Sequence, residues 1–164
     1  MPDRPRLVVT DTTPLIALAL IGKLSLLSDL YGEVAAPPTV YAEAIAGAAG
    51  RIDAADIRNA SCVRVQPLSD PRRADALANL DRGEAEAIAL AQEINADLLI
   101  IDERLGRRSA RHLGLTITGT VGILLKSKAL GYIETVHPLL TMLQQRGIYL
   151  GDALVRRALE IAGE

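Results

Sequence analysis

A chain of 164 residues is long enough to close one hydrophobic core and short for two, and its 49% apolar composition supplies ample material. The aromatic residues are Tyr31, Tyr41, Tyr132 and Tyr149, so the core has to be aliphatic, and the lack of interleaved aromatics for stacking single-stranded bases counts against an RRM-like or OB-like binding sheet. A net charge of −2 excludes a global positive field that would attract nucleic acid, leaving only a local one.

The opening segment MPDRPRLVVTD has no long apolar region of the secretory kind. The apolar stretch at 15–21 is closed by Gly22 and Lys23, well short of the ~20 residues that cross a bilayer. No membrane segment is expected, and the expected location is cytoplasmic. Residues 7–10 form a short β-branched run, predicted as a buried strand with Asp11 at its carboxyl end. Thr12 and Thr13 before Pro14 start a helix, and 15–20 and 24–30 read as two short helices broken at Gly22. A second strand is expected at 33–36, stopped by Pro37 and Pro38. Thr39 is placed to cap the following helix, which carries Glu43 and fades in the small residues 47–50.

A further helical piece is expected at 51–59, a strand at 63–65, and a helix opening at Asp70-Pro71 and running to Leu80. The strongest helix is 84–94, filled by Ala, Ile and Leu, with acidic residues in its first turn. Residues 98–101 form a second buried strand ending at Asp102. A basic helix at 103–112, a strand at 115–118 and helices at 121–129, 133–145 and 152–162 complete the chain. Short continuous apolar strands alternating with helices predict an α/β domain. The expected form is a three-layer α/β/α sandwich with a central, mostly parallel sheet of four or five strands, as one domain over 1–164.

In an open parallel sheet, ligands bind beyond the carboxyl ends of the strands, and both Asp11 and Asp102 directly follow a buried strand. Glu43 and Glu84 lie on helices at positions able to face the same edge. Four carboxylates together repel one another unless a cation neutralises them. An all-oxygen set selects Mg²⁺ or Mn²⁺ over Zn²⁺. Cys62 is alone and His112 and His137 are far apart, so neither a disulfide nor a zinc site of the Cys or His type is available. A metal held by carboxylates suits phosphodiester hydrolysis, because it lowers the pKa of a bound water and steadies charge on the phosphate. Each acid also has a plainer reading: Asp11 and Asp102 as helix caps, Glu43 as a surface residue, Glu84 as a partner of the helix dipole. Glu84 and Glu86 are about 200° apart around a helix, so only one of them can face the pocket.

Arg104, Arg107, Arg108 and Arg111 line the helix after Asp102. They read either as a solvated face or as a clamp on an RNA backbone, since guanidinium groups bind phosphate bidentately. Setting the four carboxylates aside takes the rest of the chain from −2 to +2, so a basic surface beside an acidic pocket is available. Lys126 and Lys128 could extend it.

Four blocks in order carry a resemblance. VVTDTTPLI is similar to the opening strand and turn of PIN domains, and PPTVYAEAI to their second block. LDRGEAEAIALA and ADLLIIDERLGRRSARHLG resemble the third and fourth, and TGTVGILLKSKALGYI is typical of a VapC-like branch of uncharacterised nucleic-acid-binding proteins. The resemblance runs from about residue 7 to 163. It implies Asp11, Glu43, Glu84 and Asp102 as the catalytic, metal-binding acids, with Glu84 preferred to Glu86 by its distance from Asp102 and Thr13 as a supporting hydroxyl. Where many relatives carry a further acid two positions after Asp102, this chain has Arg104, and Glu103 stands beside it.

The resemblance further implies a ribonuclease dependent on Mg²⁺ or Mn²⁺, hydrolysing single-stranded RNA. Its role would be the toxin of a toxin–antitoxin pair, with an antitoxin protein as partner and a homodimer as assembly. The main alternative is a non-catalytic nucleic-acid-binding or protein-interaction module on the same fold. A phosphotransfer enzyme using Asp11 as nucleophile would need a second Asp two residues on, where Thr13 stands.

Overall fold

The computed structural model describes residues 6–50 and 54–164. The first apolar run forms strand β1 (Val8–Thr10), followed after the single residue Asp11 by α1 (Thr12–Leu20) and then by α2 (Leu26–Tyr31). Strand β2 (Val34–Ala36) leads into α3 (Pro38–Ala48), and α4 (Ala55–Arg58) precedes β3 (Val63–Val65). After α5 (Arg72–Asp75) and α6 (Arg82–Glu93) come β4 (Leu98–Ile100), α7 (Arg104–His112) and β5 (Ile117–Thr118). Helices α8 (Thr120–Ala129), α9 (His137–Gln145) and α10 (Asp152–Ala162) follow.

The sheet has five strands in the order β3-β2-β1-β4-β5, and every pairing is parallel. Helices flank it, giving the α/β architecture. β1, β2 and β4 are wholly buried, whereas the edge strands β3 and β5 are not. This explains why the central strands are apolar but for Thr10 and why Arg64 is tolerated in β3. Chain order reverses about β1, which pairs with β2 on one side and β4 on the other, so a crevice opens at the carboxyl ends of β1 and β4. The register there is tight. Val8, Val9 and Thr10 stand opposite Leu98, Leu99 and Ile100, and the Asp11 N–H closes the ladder on the Ile100 carbonyl at 2.9 Å.

The core is aliphatic throughout: Leu18, Leu27, Ile88, Leu99, Ile123 and Leu140 are among its fully buried side chains. Each such burial is worth roughly 1.5–3 kcal/mol. Small residues let the helices approach closely. Gly47 in α3 sits where a Cβ would come within 2.6 Å of the Ile16 Cδ1 of α1. Cys62 is buried and unpaired. Among the described residues, no helix is long and apolar enough to cross a membrane.

Several boundaries differ from expectation, each for a local reason. Thr39 does not cap α3. Pro37 occupies the N-cap position and Pro38 the first helical one, where a fixed φ and a missing N–H cost nothing. The helix expected at 70–80 contracts to Arg72–Asp75. Asp70 is tied down by Arg72 and by the Glu93 carboxylate, and Asp81 must be extended (φ −66°, ψ 164°) to cap α6, so residues 76–80 turn rather than continue a helix. The last turns of the molecule also shift: α9 begins at His137, four residues later than expected. There the Glu164 carboxylate accepts the Val136 and His137 N–H groups at 2.8 and 3.0 Å and pairs with Lys128 at 2.9 Å. These donors hold its pKa down at about 2. Of the helical piece expected at 51–59, residues 51–53 lie outside the described residues and 55–58 form α4.

Candidate active site

Asp11 stands at the N-cap position of α1, yet its side chain makes no capping hydrogen bond. It is 2% exposed, and its Oδ1 is a buried acceptor with no hydrogen-bond partner. Burial pushes its pKa up to about 7. The neighbouring Thr12 N–H opposes that rise, and the charges of Asp81, Glu43 and Asp102 add to it. A strand end that merely capped a helix would not leave this oxygen open.

Glu43 reaches the same place from α3. Its Oε2 accepts the Thr12 hydroxyl at 2.9 Å. It also lies against Gly83, where a Cβ would fall 2.5 Å from that oxygen. Glycine at the second position of α6 therefore makes room for a carboxylate from a different helix. Glu84 follows at the third position of α6. Its N–H donates to the Asp81 Oδ1 at 2.9 Å, which caps the helix. The Glu84 side chain is buried, and its pKa is raised to about 7 by that burial, by the charge of and a hydrogen bond with Asp81, and by Asp11 and Glu103. Glu86 points elsewhere. It pairs with Arg82 at 2.9 Å, and Arg82 also holds Asp75 at 2.6 Å.

Asp11, Thr12, Thr13, Glu43, Asp81, Glu84 and Glu103 line a cavity of about 380 Å³. Thr13 is on its wall, but the hydroxyl bonded to a carboxylate is that of Thr12. Asp102, just beyond β4, is near enough to raise the Asp11 pKa but lines a second cavity of about 640 Å³, with Arg104, Arg107, Arg108, Arg111 and His112. Its two oxygens accept from Thr120, Oδ1 from the backbone N–H at 2.8 Å and Oδ2 from the hydroxyl at 2.6 Å.

The arginines of α7 are not equivalent. Arg107 is half-buried and donates from Nη1 to the Ile101 carbonyl at 2.8 Å, so it anchors α7 to the end of β4. Burial and the nearby Arg111 lower its pKa, with Asp102 acting against them. Arg104, Arg108 and Arg111 are exposed. Lys126 and Lys128 do not join them: Lys126 lies 5.1 Å from the Tyr31 ring centroid, and Lys128 is bonded to Glu164 and the Ala162 carbonyl.

Asp81 and Thr120 are not among the residues that the sequence singles out. Asp81 has a local signature, since Asp81 and Glu84 are spaced as a helix-entry capping pair. Thr120 has none, because its bond to Asp102 is made only when β5 aligns with β4.

The donors suit a hard divalent cation. They are all oxygen, they are gathered at one sheet edge, and one of them is a buried acceptor with nothing to accept. Among the described residues, no group of three or more His, Cys, Asp or Glu already stands in ligating geometry. Glu43 and Asp102 are turned toward hydroxyl donors instead.

No curated protein matches the sequence. A PIN-domain family model matches residues 7–164, nearly the whole chain. That match agrees with the parallel sheet and the acids at its carboxyl edge, and PIN domains are generally nucleases. The chain belongs to the PIN-domain family.

Proposed function

We propose that this protein is an endoribonuclease that hydrolyses single-stranded RNA with the help of Mg²⁺ or Mn²⁺. The observation that carries the reading is the Asp11 carboxylate, 2% exposed, with one oxygen unbonded and three further acids close enough to repel it. Burying such a group costs several kcal/mol unless a counter-charge meets it. Asp11, Glu43, Glu84 and Asp102 would hold the ion. When bound, it supplies a water of lowered pKa and stabilises negative charge on the phosphate.

The protein's own groups have separable roles. Thr12 holds Glu43, and Asp81 fixes the start of α6 and hence Glu84. In the cation-free protein, Asp11 and Glu84 retain protons up to about pH 7. Arg104, Arg108 and Arg111 present exposed guanidinium groups beside Asp102, suited to the phosphates that flank the scissile one. Arg107 keeps their helix in place. The role of toxin, with an antitoxin partner and a homodimeric assembly, is supported by the likeness to the VapC-like branch.

A second reading, a PIN fold that binds nucleic acid without cutting it, draws on Glu43 and Asp102 being engaged by hydroxyls. One assay separates the two. Purified protein and Asp11→Asn are incubated with a mixed single-stranded RNA pool in Mg²⁺, Mn²⁺ or EDTA. Cleavage that requires the metal and Asp11 is the expected result. RNA retained on the protein but left intact in every metal would overturn it in favour of the binding module.

A further inference from the structure

We infer that Thr120 is a positioning residue for Asp102, gripping both carboxylate oxygens from the first turn of α8 and so setting the direction in which that acid faces the site. The inference rests on reading Asp102 as a member of the metal-holding set. The backbone N–H of Thr120 meets Oδ1 at 2.8 Å and its hydroxyl meets Oδ2 at 2.6 Å. Two bonds to two oxygens of one planar group block its rotation, which a single bond would not. Thr120 is 3% exposed, so water does not compete for either bond.

Helix geometry explains why the grip exists. The first N–H groups of a helix have no partner inside it and are ordinarily met by the side chain of the N-cap residue. In α8 the N-cap residue is Gly119, which has no side chain. The acceptor comes instead from Asp102, 18 residues earlier in the chain. Gly119 is not there for its backbone: φ −132° and ψ −174° is extended and open to any residue. It is there for space, since a Cβ would lie 2.5 Å from the Asp102 Oδ1 and 3.0 Å from the Arg107 Nη1. A helix that needed only a cap would be served by Ser or Asp at position 119. A carboxylate offers about four lone-pair directions and Thr120 takes two, so Asp102 keeps acceptor capacity for a cation while its orientation is held.

The test uses RNA-free protein and reads Mn²⁺ binding from the electron paramagnetic resonance signal of the free ion. Asp102→Asn is expected to weaken binding strongly. Thr120→Val, which keeps the shape and the backbone N–H but loses the hydroxyl, is expected to weaken it roughly tenfold. Thr120→Ser, which keeps the hydroxyl, should stay within about twofold of the unaltered protein, an effect smaller than that of losing the bond. Gly119→Ala leaves Thr120 intact but pushes on the carboxylate, and should weaken binding about as much as Thr120→Val. This variant carries the test if Thr120→Val fails to show a cooperative melt. Unchanged affinity in Thr120→Val and Gly119→Ala, beside a loss in Asp102→Asn, would overturn the inference and leave the metal-site reading standing. A Thr120→Ser protein as weak as Thr120→Val would overturn it too. Unchanged affinity in Asp102→Asn would instead remove the reading on which it rests.

Discussion

Asp11 and Glu84 set the chemistry of the pocket at the level of single groups, because each is more costly to ionise in the folded chain than in water. Their pKa values are raised from 3.8 and 4.5 to about 7. A carboxyl group raised in this way favours the unfolded chain once pH exceeds its ordinary value, since only the unfolded form then ionises freely. The penalty grows from about pH 4 and is complete above pH 7. Asp11→Asn should therefore raise the stability of the cation-free protein by roughly 1–3 kcal/mol at pH 8 and by almost nothing at pH 4, while abolishing cleavage. Thermal melts in EDTA at the two pH values check this. An equal offset at both would show that charge is not the cause. In saturating Mg²⁺ the advantage of the variant should shrink or reverse, because only the unaltered site gains from the ion.

The helices bring in the acids that the strands do not carry, and α6 does so at a cost to itself. Glycine near a helix start is a weaker helix former than alanine by up to about 1 kcal/mol. At Gly83 the added methyl would meet the Glu43 carboxylate, 2.5 Å away. Gly83→Ala is thus expected to keep its melting temperature within a few degrees while losing at least about tenfold in cleavage rate, a loss of position rather than of fold. Equal activity in the two proteins would mean that Glu43 has no part in the reaction.

What was legible in the sequence follows the same division between strand and helix. Asp11 and Asp102 stand out because short, largely apolar runs, 7–10 and 98–101, mark strand ends locally. Helical phase allows only one of Glu84 and Glu86 to face the pocket, the resemblance favours Glu84, and in the structure Glu86 is paired with Arg82. Local pattern misled where tertiary partners intervene. The contraction of the helix at 70–80 depends on Glu93, more than twenty residues away, accepting the Ser69 and Asp70 N–H groups. The grip of Thr120 on Asp102 depends on strand pairing that no window of sequence contains.

Across the whole molecule, the net charge of −2 hides a segregation. The carboxylates line one cavity and the arginines another, with Asp102 beside the arginines. The cavity that holds Asp102 offers a polyanion three exposed guanidinium groups, those of Arg104, Arg108 and Arg111. The double variant Arg108→Ala, Arg111→Ala should weaken RNA binding and flatten its dependence on salt, by about 0.7 in the logarithmic slope for each phosphate no longer neutralised. A filter-binding titration from low to moderate salt measures this. An unchanged slope would assign these arginines to solvent.

The bond between the Asp11 N–H and the Ile100 carbonyl has a mechanical consequence. Asp11 and Asp102 hang from adjacent central strands whose separation, about 4.8 Å, is among the least yielding lengths in a protein. Glu43 and Glu84 ride on helices, which no strand ladder holds at a fixed spacing. The set of four acids is thus half anvil and half jaw: a floor held by the ladder and two walls carried by helices, so that any tightening around a guest is expected of α3 and α6. Amide hydrogen exchange should register Mg²⁺ as slower exchange at the start of α6 and along α3, with β1 and β4 already slow and unaltered. Changes concentrated in the strands would mean that the floor, not the walls, gives way.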